Sequence, residues 1–237
     1  MKVILLAGGL GTRISEETSD KPKPMVLLDD KPIIWHLMSI FASQGFKEFI
    51  IAGGYKVSVI QDWVSMLETD WDIQVLDTGL NTQTGGRIKQ CLEKFPGEQC
   101  LVTYGDGLGN VDITELLRFH KNQGALATLT AVRPPARFGY LEFENNRVTH
   151  FGEKNQSYAG WVNGGFFVLE NEVAKYIRND SEPFETGALP RLTSENQLTC
   201  FQHSGFWQPM DTLRERNDLA ILAQSEVPPW LDHLGEV

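Results

Sequence analysis

Lys2-Val3-Ile4-Leu5-Leu6-Ala7-Gly8-Gly9-Leu10-Gly11-Thr12-Arg13 runs from five consecutive apolar residues into a loop with three glycines and an arginine. A continuous apolar run of this length is what a strand covered on both faces requires, and such strands belong to parallel sheets flanked by helices. In open sheets of that kind, ligands bind just beyond the carboxyl ends of the strands. The rest of the chain extends the pattern. Phe49–Ala52, Ile73–Leu76 and Leu101–Tyr104 read as further strands, each followed by turn residues. Helical periodicity covers Lys31 to about Ser43, Val57–Leu67, Gly86–Phe95 and Ile113–Asn122. Strands alternating with helices predict a Rossmann-like α/β fold, a mainly parallel mixed sheet flanked by helices. Beyond residue 125 the texture changes to a small β-rich elaboration. Strands are expected at Ala127–Val132, Gly139–Phe143, Arg147–Phe151, Gly165–Leu169 and Leu198–Gln202, and helices at Glu170–Ile177, Ala188–Glu195 and Asp211–Ala223. With no repeat, low-complexity tract or linker, 1–237 reads as one domain.

Size and charge narrow the function. A chain of 237 residues, 41% hydrophobic and 22% charged, is a globular composition. It can bury roughly 70–75% of its unfolded surface and needs no structural metal or disulfide. Its 21 Lys and Arg against 31 Asp and Glu leave a net charge of −10, which argues against a nucleic-acid surface. Small polyanions are not excluded, because a few local cations and backbone amides can hold them. Cys91, Cys100 and Cys200 are odd in number and widely spaced, as in a reducing compartment. No stretch approaches the ~20 apolar residues of a membrane span. A cytoplasmic protein without nucleic-acid or membrane partners is expected.

The glycine loop suits phosphate: successive amides can approach an anion, and Arg13 adds a planar fork. It is neither a P-loop, since no Gly-Lys-Ser/Thr closes it, nor the dinucleotide fingerprint, which would want Gly or Ala at Ile14. Asp29 has the offset of a ribose-binding acid, but Asp29-Asp30-Lys31-Pro32 reads as a turn. Lys21-Pro22-Lys23-Pro24-Met25 stiffens two lysines between prolines. Lys21 is as well explained by solvation; Lys23 is the better candidate for a point charge on polyphosphate. His36, His120, His150, His203 and His233 lack zinc-ligand spacing, and no G-x-S-x-G elbow is present.

Gly8-Gly9-x-Gly11-Thr12-Arg13, Lys23-Pro24-Met25 and Lys31-Pro32 together resemble the sugar-phosphate nucleotidylyltransferases. Ser15-Glu16-Glu17-Thr18, Thr84-Gly85-Gly86-Arg87, Thr103-Tyr104-Gly105-Asp106-Gly107, Arg137-Phe138-Gly139, Asn163-Gly164-Gly165-Phe166-Phe167 and Phe206-Trp207-Gln208-Pro209-Met210-Asp211-Thr212 extend the likeness over nearly the whole chain, toward members that use CTP and α-D-glucose 1-phosphate. The resemblance implies the nucleotide-diphospho-sugar transferase type of fold, with 1–125 mainly nucleotide-binding and 126–237 mainly sugar-phosphate-binding. It implies Mg2+ held by Asp106 and Asp211, with Arg13 and Lys23 as the catalytic cations. Taken alone, Asp106 could be a turn former and Asp211 a helix N-cap. Nucleotide contacts are implied at Leu6, Ala7, Gly8, Gly9, Gly11, Thr12, Arg13, Lys23, Thr84, Gly86, Arg87, Tyr104 and Asp106. Sugar-phosphate contacts are implied at Phe138, Gly139, Glu153, Lys154, Asn163, Gly164 and Gly165. Phe138 or Trp161 would offer an apolar wall, although core packing is the commoner use of such aromatics.

Arg87 is the candidate to donate to cytosine O2 or N3. The chain departs from the family in two places. Asn155 stands where relatives usually carry Pro, and Glu68-Thr69-Asp70-Trp71-Asp72 passes almost directly to Ile73 where relatives of this type are longer, which leaves a homo-oligomer open. Three readings remain at this point: cytidylyl transfer to glucose 1-phosphate, the same chemistry with dTTP, UTP or another sugar, and a catalytically idle nucleotide-sugar sensor.

Overall fold

The computed structural model describes residues 1–135, 140–152 and 160–232. In chain order its strands are β1 (Lys2–Ala7), β2 (Leu27–Leu28), β3 (Lys31–Pro32), β4 (Glu48–Gly53), β5 (Asp72–Asp77), β6 (Cys100–Tyr104), β7 (Gly107–Gly109), β8 (Ala127–Val132), β9 (Tyr140–Glu144), β10 (Arg147–Gly152), β11 (Val162–Leu169), β12 (Leu198–Gln202) and β13 (Trp207–Pro209). The helices are α1 (Ser15–Thr18), α2 (Ile33–Ala42), α3 (Val57–Ser65), α4 (Thr84–Lys94), α5 (Ile113–Gln123), α6 (Ala188–Ser194) and α7 (Leu213–Ala223).

Among the described residues, seven strands form one sheet in the order β12-β8-β11-β6-β1-β4-β5. All run in one direction except β11, which is antiparallel to both neighbours. The mixed, mostly parallel sheet expected from the apolar runs is therefore present, and β8, β11 and β12 from the second half belong to it. Successive side chains of a strand point to opposite faces, and both faces are buried here. Val3, Leu5, Phe49, Ile51, Leu101, Phe166 and Val168 meet the apolar sides of α2, α5 and α7. Ile4, Leu6, Ile50, Val102, Phe167 and Leu169 meet those of α4 and α6. That is why these strands read as unbroken apolar runs rather than alternating ones.

Three local expectations change. The segment from Glu170 to Ile177 is a 3₁₀ helix over Asn171–Tyr176, not an α-helix. It is short, and Asn171 Nδ2 ties its start to the carbonyls of Leu92 and Phe95. The last helix begins at Leu213 rather than Asp211, because Thr212 and Glu215 form a reciprocal capping box that sets its N-terminus. Lys31-Pro32 is not the first turn of a helix but half of a small hairpin with Leu27–Leu28, and Asp29 turns between them at φ 59°. Asp29 is thus a turn residue. No helix among the described residues is long and apolar enough to cross a membrane. The Cys91 and Cys100 thiols are buried, and that burial pushes them up to about 12 and about 11. They are inert core groups.

Candidate active site

The carboxyl ends of β1, β4 and β6 lie side by side, because β1 pairs in parallel with both neighbours up to Ala7–Gly53 and Leu6–Tyr104. The chain leaves β1 through Gly8–Gly11 and closes a single 3₁₀ turn over Thr12–Ile14. Gly11 sits at φ 65°, where an added Cβ would stand 2.9 Å from the Thr18 side chain and 3.0 Å from Lys23 Cβ. Only glycine gives the backbone that conformation cheaply and admits Lys23 so close. Thr18 Oγ1 donates to the Gly11 and Ile14 carbonyls and fixes the loop from the far side.

Asp106 and Asp211 are 105 residues apart, and a two-stranded ribbon brings them together. β7 leaves Asp106 and pairs antiparallel with β13, matching Gly107 with Pro209; one step further the Met210 amide donates to the Asp106 carbonyl at 2.8 Å. Asp211 follows directly, outside the last helix. Between the two carboxylates stands Lys23, whose Nζ donates to Asp106 Oδ2 at 2.7 Å and Asp211 Oδ1 at 2.8 Å. Arg13 Nη1 adds a third contact, 2.9 Å from Asp211 Oδ1. Burial opposes the charge on Lys23, yet the two carboxylates outweigh it and its pKa is raised. Desolvation likewise works against the Asp211 anion, and Lys23 and Arg13 outweigh it, so that carboxyl lies below its ordinary range.

Lys23, Arg13, Asp106 and Asp211 thus form one cluster. Two carboxylates converging on a shared cation match what a mostly water-coordinated Mg2+ takes from a protein, since it usually keeps several waters and uses one or two carboxylates. Among the described residues no three His, Cys, Asp or Glu side chains group into a metal cage.

Arg87 is placed inside the protein rather than open to the cleft. Its side chain lies under the glycine loop, and the residue is 4% exposed. Nη1 donates to the Gly53 carbonyl and to Thr78 Oγ1, and Nη2 to the Gly8 carbonyl at 3.0 Å. An ideal Cβ on Gly8 would fall 2.0 Å from Arg87 Cζ, so that glycine is required by the guanidinium beneath it. Arg87 therefore props the ends of β1 and β4 from inside. Gly86 too packs inward, against the backbone of Asp180. Leu6 and Ala7 are buried, which leaves their backbone alone to face a ligand, whereas Gly9 and Thr12 are exposed.

Tyr104, Thr84 and Asn163 meet through a residue that no motif marked. Tyr104 Oη donates to Glu185 Oε1 at 2.6 Å, Thr84 Oγ1 to Glu185 Oε2 at 2.7 Å, and Asn163 Nδ2 to Tyr104 Oη at 3.1 Å. The Gly164 carbonyl accepts from Trp207 Nε1 at 2.8 Å, which joins β11 to the β7–β13 ribbon. Trp161 is 40% exposed with the Arg133 guanidinium over its ring, and it is not core. Phe138, Gly139, Glu153 and Lys154 lie outside the described residues. Glu185 sits in Pro183-Phe184-Glu185-Thr186-Gly187, a stretch without spacing or charge pattern. At the opposite end of the parallel strands, beyond their amino termini, a surface depression beside His120 and Glu170 lies away from this cluster.

Comparison with known proteins identifies the family. The chain is 42% identical to the glucose-1-phosphate cytidylyltransferase of Salmonella typhi, over 97% of its own length and 98% of the relative's. It is 39% identical to the probable glucose-1-phosphate cytidylyltransferase of Bacillus subtilis (strain 168), over 90% and 92%. The crystal structure of HddC from Yersinia pseudotuberculosis superposes with a TM-score of 0.76 at 22% identity, covering 94% of this chain and 99% of that one, which shows a shared fold. The family model described as nucleotidyl transferase matches residues 2–223, from β1 and its glycine loop through both aspartates to the last helix. A match over that span, with the glycine loop and the paired aspartates inside it, makes this chain a member of the nucleotidyl transferase family.

Proposed function

We propose that the chain transfers the cytidylyl group of CTP to α-D-glucose 1-phosphate, giving CDP-glucose and pyrophosphate. Near full-length 42% identity to an enzyme of that name carries the reading. It is supported by Lys23, Arg13 and two aspartates clustered beside a glycine loop. A non-bridging phosphate oxygen of the sugar 1-phosphate attacks the α-phosphorus in line. The bond to the bridging oxygen breaks, and its electron pair leaves with pyrophosphate. The attacking group is already an anion, so the protein must mainly position two polyanions and offset their charge. Asp106 and Asp211 would hold Mg2+, which would supply charge neutralisation on the phosphate oxygens.

The chain's own residues do the rest. Amides of the glycine loop, where Gly9, Leu10 and Thr12 are exposed, cradle phosphate, and Arg13 meets the pyrophosphate charge. Lys23, paired with both aspartates here, would place its ammonium on the reacting phosphates. Arg87 acts from below, keeping the Gly8 and Gly53 carbonyls turned inward so that the loop's amides face the ligand. Asn163, Gly164 and Gly165 approach the sugar, with Phe138, Gly139, Glu153 and Lys154 supplying the remaining contacts by resemblance. Both substrates sit on one domain, 1–237.

The test measures pyrophosphate release with each nucleoside triphosphate crossed against several sugar 1-phosphates in the presence of Mg2+. Turnover with CTP and glucose 1-phosphate above all other pairs is expected. Activity with dTTP alone would overturn the base, and binding without turnover in every combination would leave a nucleotide-sugar sensor.

A further inference from the structure

We propose that Glu185 is a positioning residue for the sugar 1-phosphate, acting through Tyr104 to fix the direction in which Asn163 offers its amide donor. This rests on the transfer reaction proposed above. A carboxylate only accepts hydrogen bonds, so the single Tyr104 proton points to Glu185 Oε1 at 2.6 Å. The Tyr104 oxygen is then an acceptor toward Asn163, which must present Nδ2 to it at 3.1 Å. Asn163 Oδ1 faces the other way and receives the Gly165 amide at 2.9 Å. Nδ2 carries two N–H groups, and among the described residues the second is unused. The chain of bonds therefore presents a donor at the Asn163–Gly165 bulge, where a hydroxyl or phosphate oxygen of the sugar 1-phosphate is the matching group.

Glu185 is exposed, and its neighbour anchors its backbone. The neighbouring Phe184 is fully buried, its ring 5.7 Å from that of Phe167, and its amide donates to Thr84 Oγ1 at 2.9 Å. Without Glu185, the Tyr104 proton can swing to Asn163 and the amide can flip, offering the ligand an acceptor where it needs a donor. Thr84 keeps its second anchor to Phe184 in that case, so the nucleotide side is disturbed far less.

The experiment is steady-state kinetics of the full chain with Glu185→Gln, Glu185→Ala, Tyr104→Phe and the double variant Tyr104→Phe/Glu185→Ala, varying each substrate at saturating levels of the other. In the Glu185 variants, loss of one oriented hydrogen bond raises KM for glucose 1-phosphate about 5- to 20-fold, with KM for CTP within about 2-fold of the wild type. Because Glu185 acts through Tyr104, the double variant is no worse than the more affected single one. Additive effects, equal changes in both KM values, or unchanged KM for the sugar would each overturn the proposal. Glu185→Gln keeps the side chain's volume, and its melting temperature guards against misfolding. If Glu185→Ala does not fold, the Gln variant combined with Tyr104→Phe makes the same comparison. A wild type that turns over no sugar 1-phosphate overturns the transfer reading instead, whereas an active wild type with unaffected variants overturns this inference alone.

Discussion

Replacing Lys23 with methionine removes the cation between Asp106 and Asp211 while keeping most of its buried stem. Two charge-assisted hydrogen bonds disappear, at 2.7 and 2.8 Å. The two carboxylate oxygens touch one ammonium and so stand within about 5.5 Å of each other. Two unit negative charges at that separation repel by about 3 kcal/mol at an effective dielectric of about 20. The Asp106 and Asp211 side chains are 37% and 28% exposed, so water screens part of this, and Arg13 still meets Asp211. After that discount the loss comes to about 2–4 kcal/mol, or about 5–15 °C in melting temperature for a chain of this length. The distinguishing measurement is thermal unfolding of both proteins with and without millimolar Mg2+, in the absence of nucleotide. Lys23 already neutralises the aspartates in the wild type, so Mg2+ must compete with a tethered cation there and not in the variant. Mg2+ is expected to raise the variant's melting temperature several degrees more than the wild type's. A variant that melts with the wild type, or an identical Mg2+ response in both, would refute the reasoning.

Asp106→Asn and Asp211→Asn are each expected to lower kcat at least 100-fold with an unchanged far-ultraviolet circular dichroism spectrum; near-normal turnover in both would remove them from the site. Arg87→Met leaves the buried Gly8 and Gly53 carbonyls without their guanidinium donor, costing about 3–5 kcal/mol in urea unfolding and raising KM for CTP. Arg87→Lys should not rescue it, since one ammonium cannot span the three acceptors a planar fork reaches. Burial holds the His36 and His203 imidazoles below their ordinary pKa, so between that lowered value and about 6.5 the unfolded chain binds more protons than the native one. Stability is thus full above about pH 6.5 and falls as the solution is acidified. The urea midpoint should drop between pH 7.5 and 5.5, and His36→Gln should flatten that slope; an unchanged slope would show that His36 does not contribute.

The central strands and most of their helices were legible because they obey short-range rules. β1, β4 and β6 are buried on both faces, so each is a continuous apolar run, and the glycines that end them mark where the chain turns at the edge of the sheet. Lys23 stood out because prolines stiffen its segment, and Asp106 because it follows a buried strand between two glycines. Resemblance joined Asp211 to them. Asp211 itself was misplaced at the start of the last helix, since periodicity does not distinguish it from Thr212 as the cap. The capping box with Glu215 decides that one-residue difference, and it leaves Asp211 outside the helix.

Local residues and their order determined the mixed sheet, the glycine loop and the set of charged groups available to a polyanion. They could not determine which charges meet. That Lys23 bridges two aspartates depends on an antiparallel ribbon between residues about 100 positions apart. That Arg87 faces inward depends on three acceptors from three separate segments, Gly8, Gly53 and Thr78. Glu185 carries no local pattern, and it becomes informative only when Tyr104, Thr84 and Asn163 converge on it. Burial of apolar runs is repeated all along a strand and so can be read from the sequence, whereas a hydrogen bond between distant side chains exists only once packing has brought its donor and acceptor together.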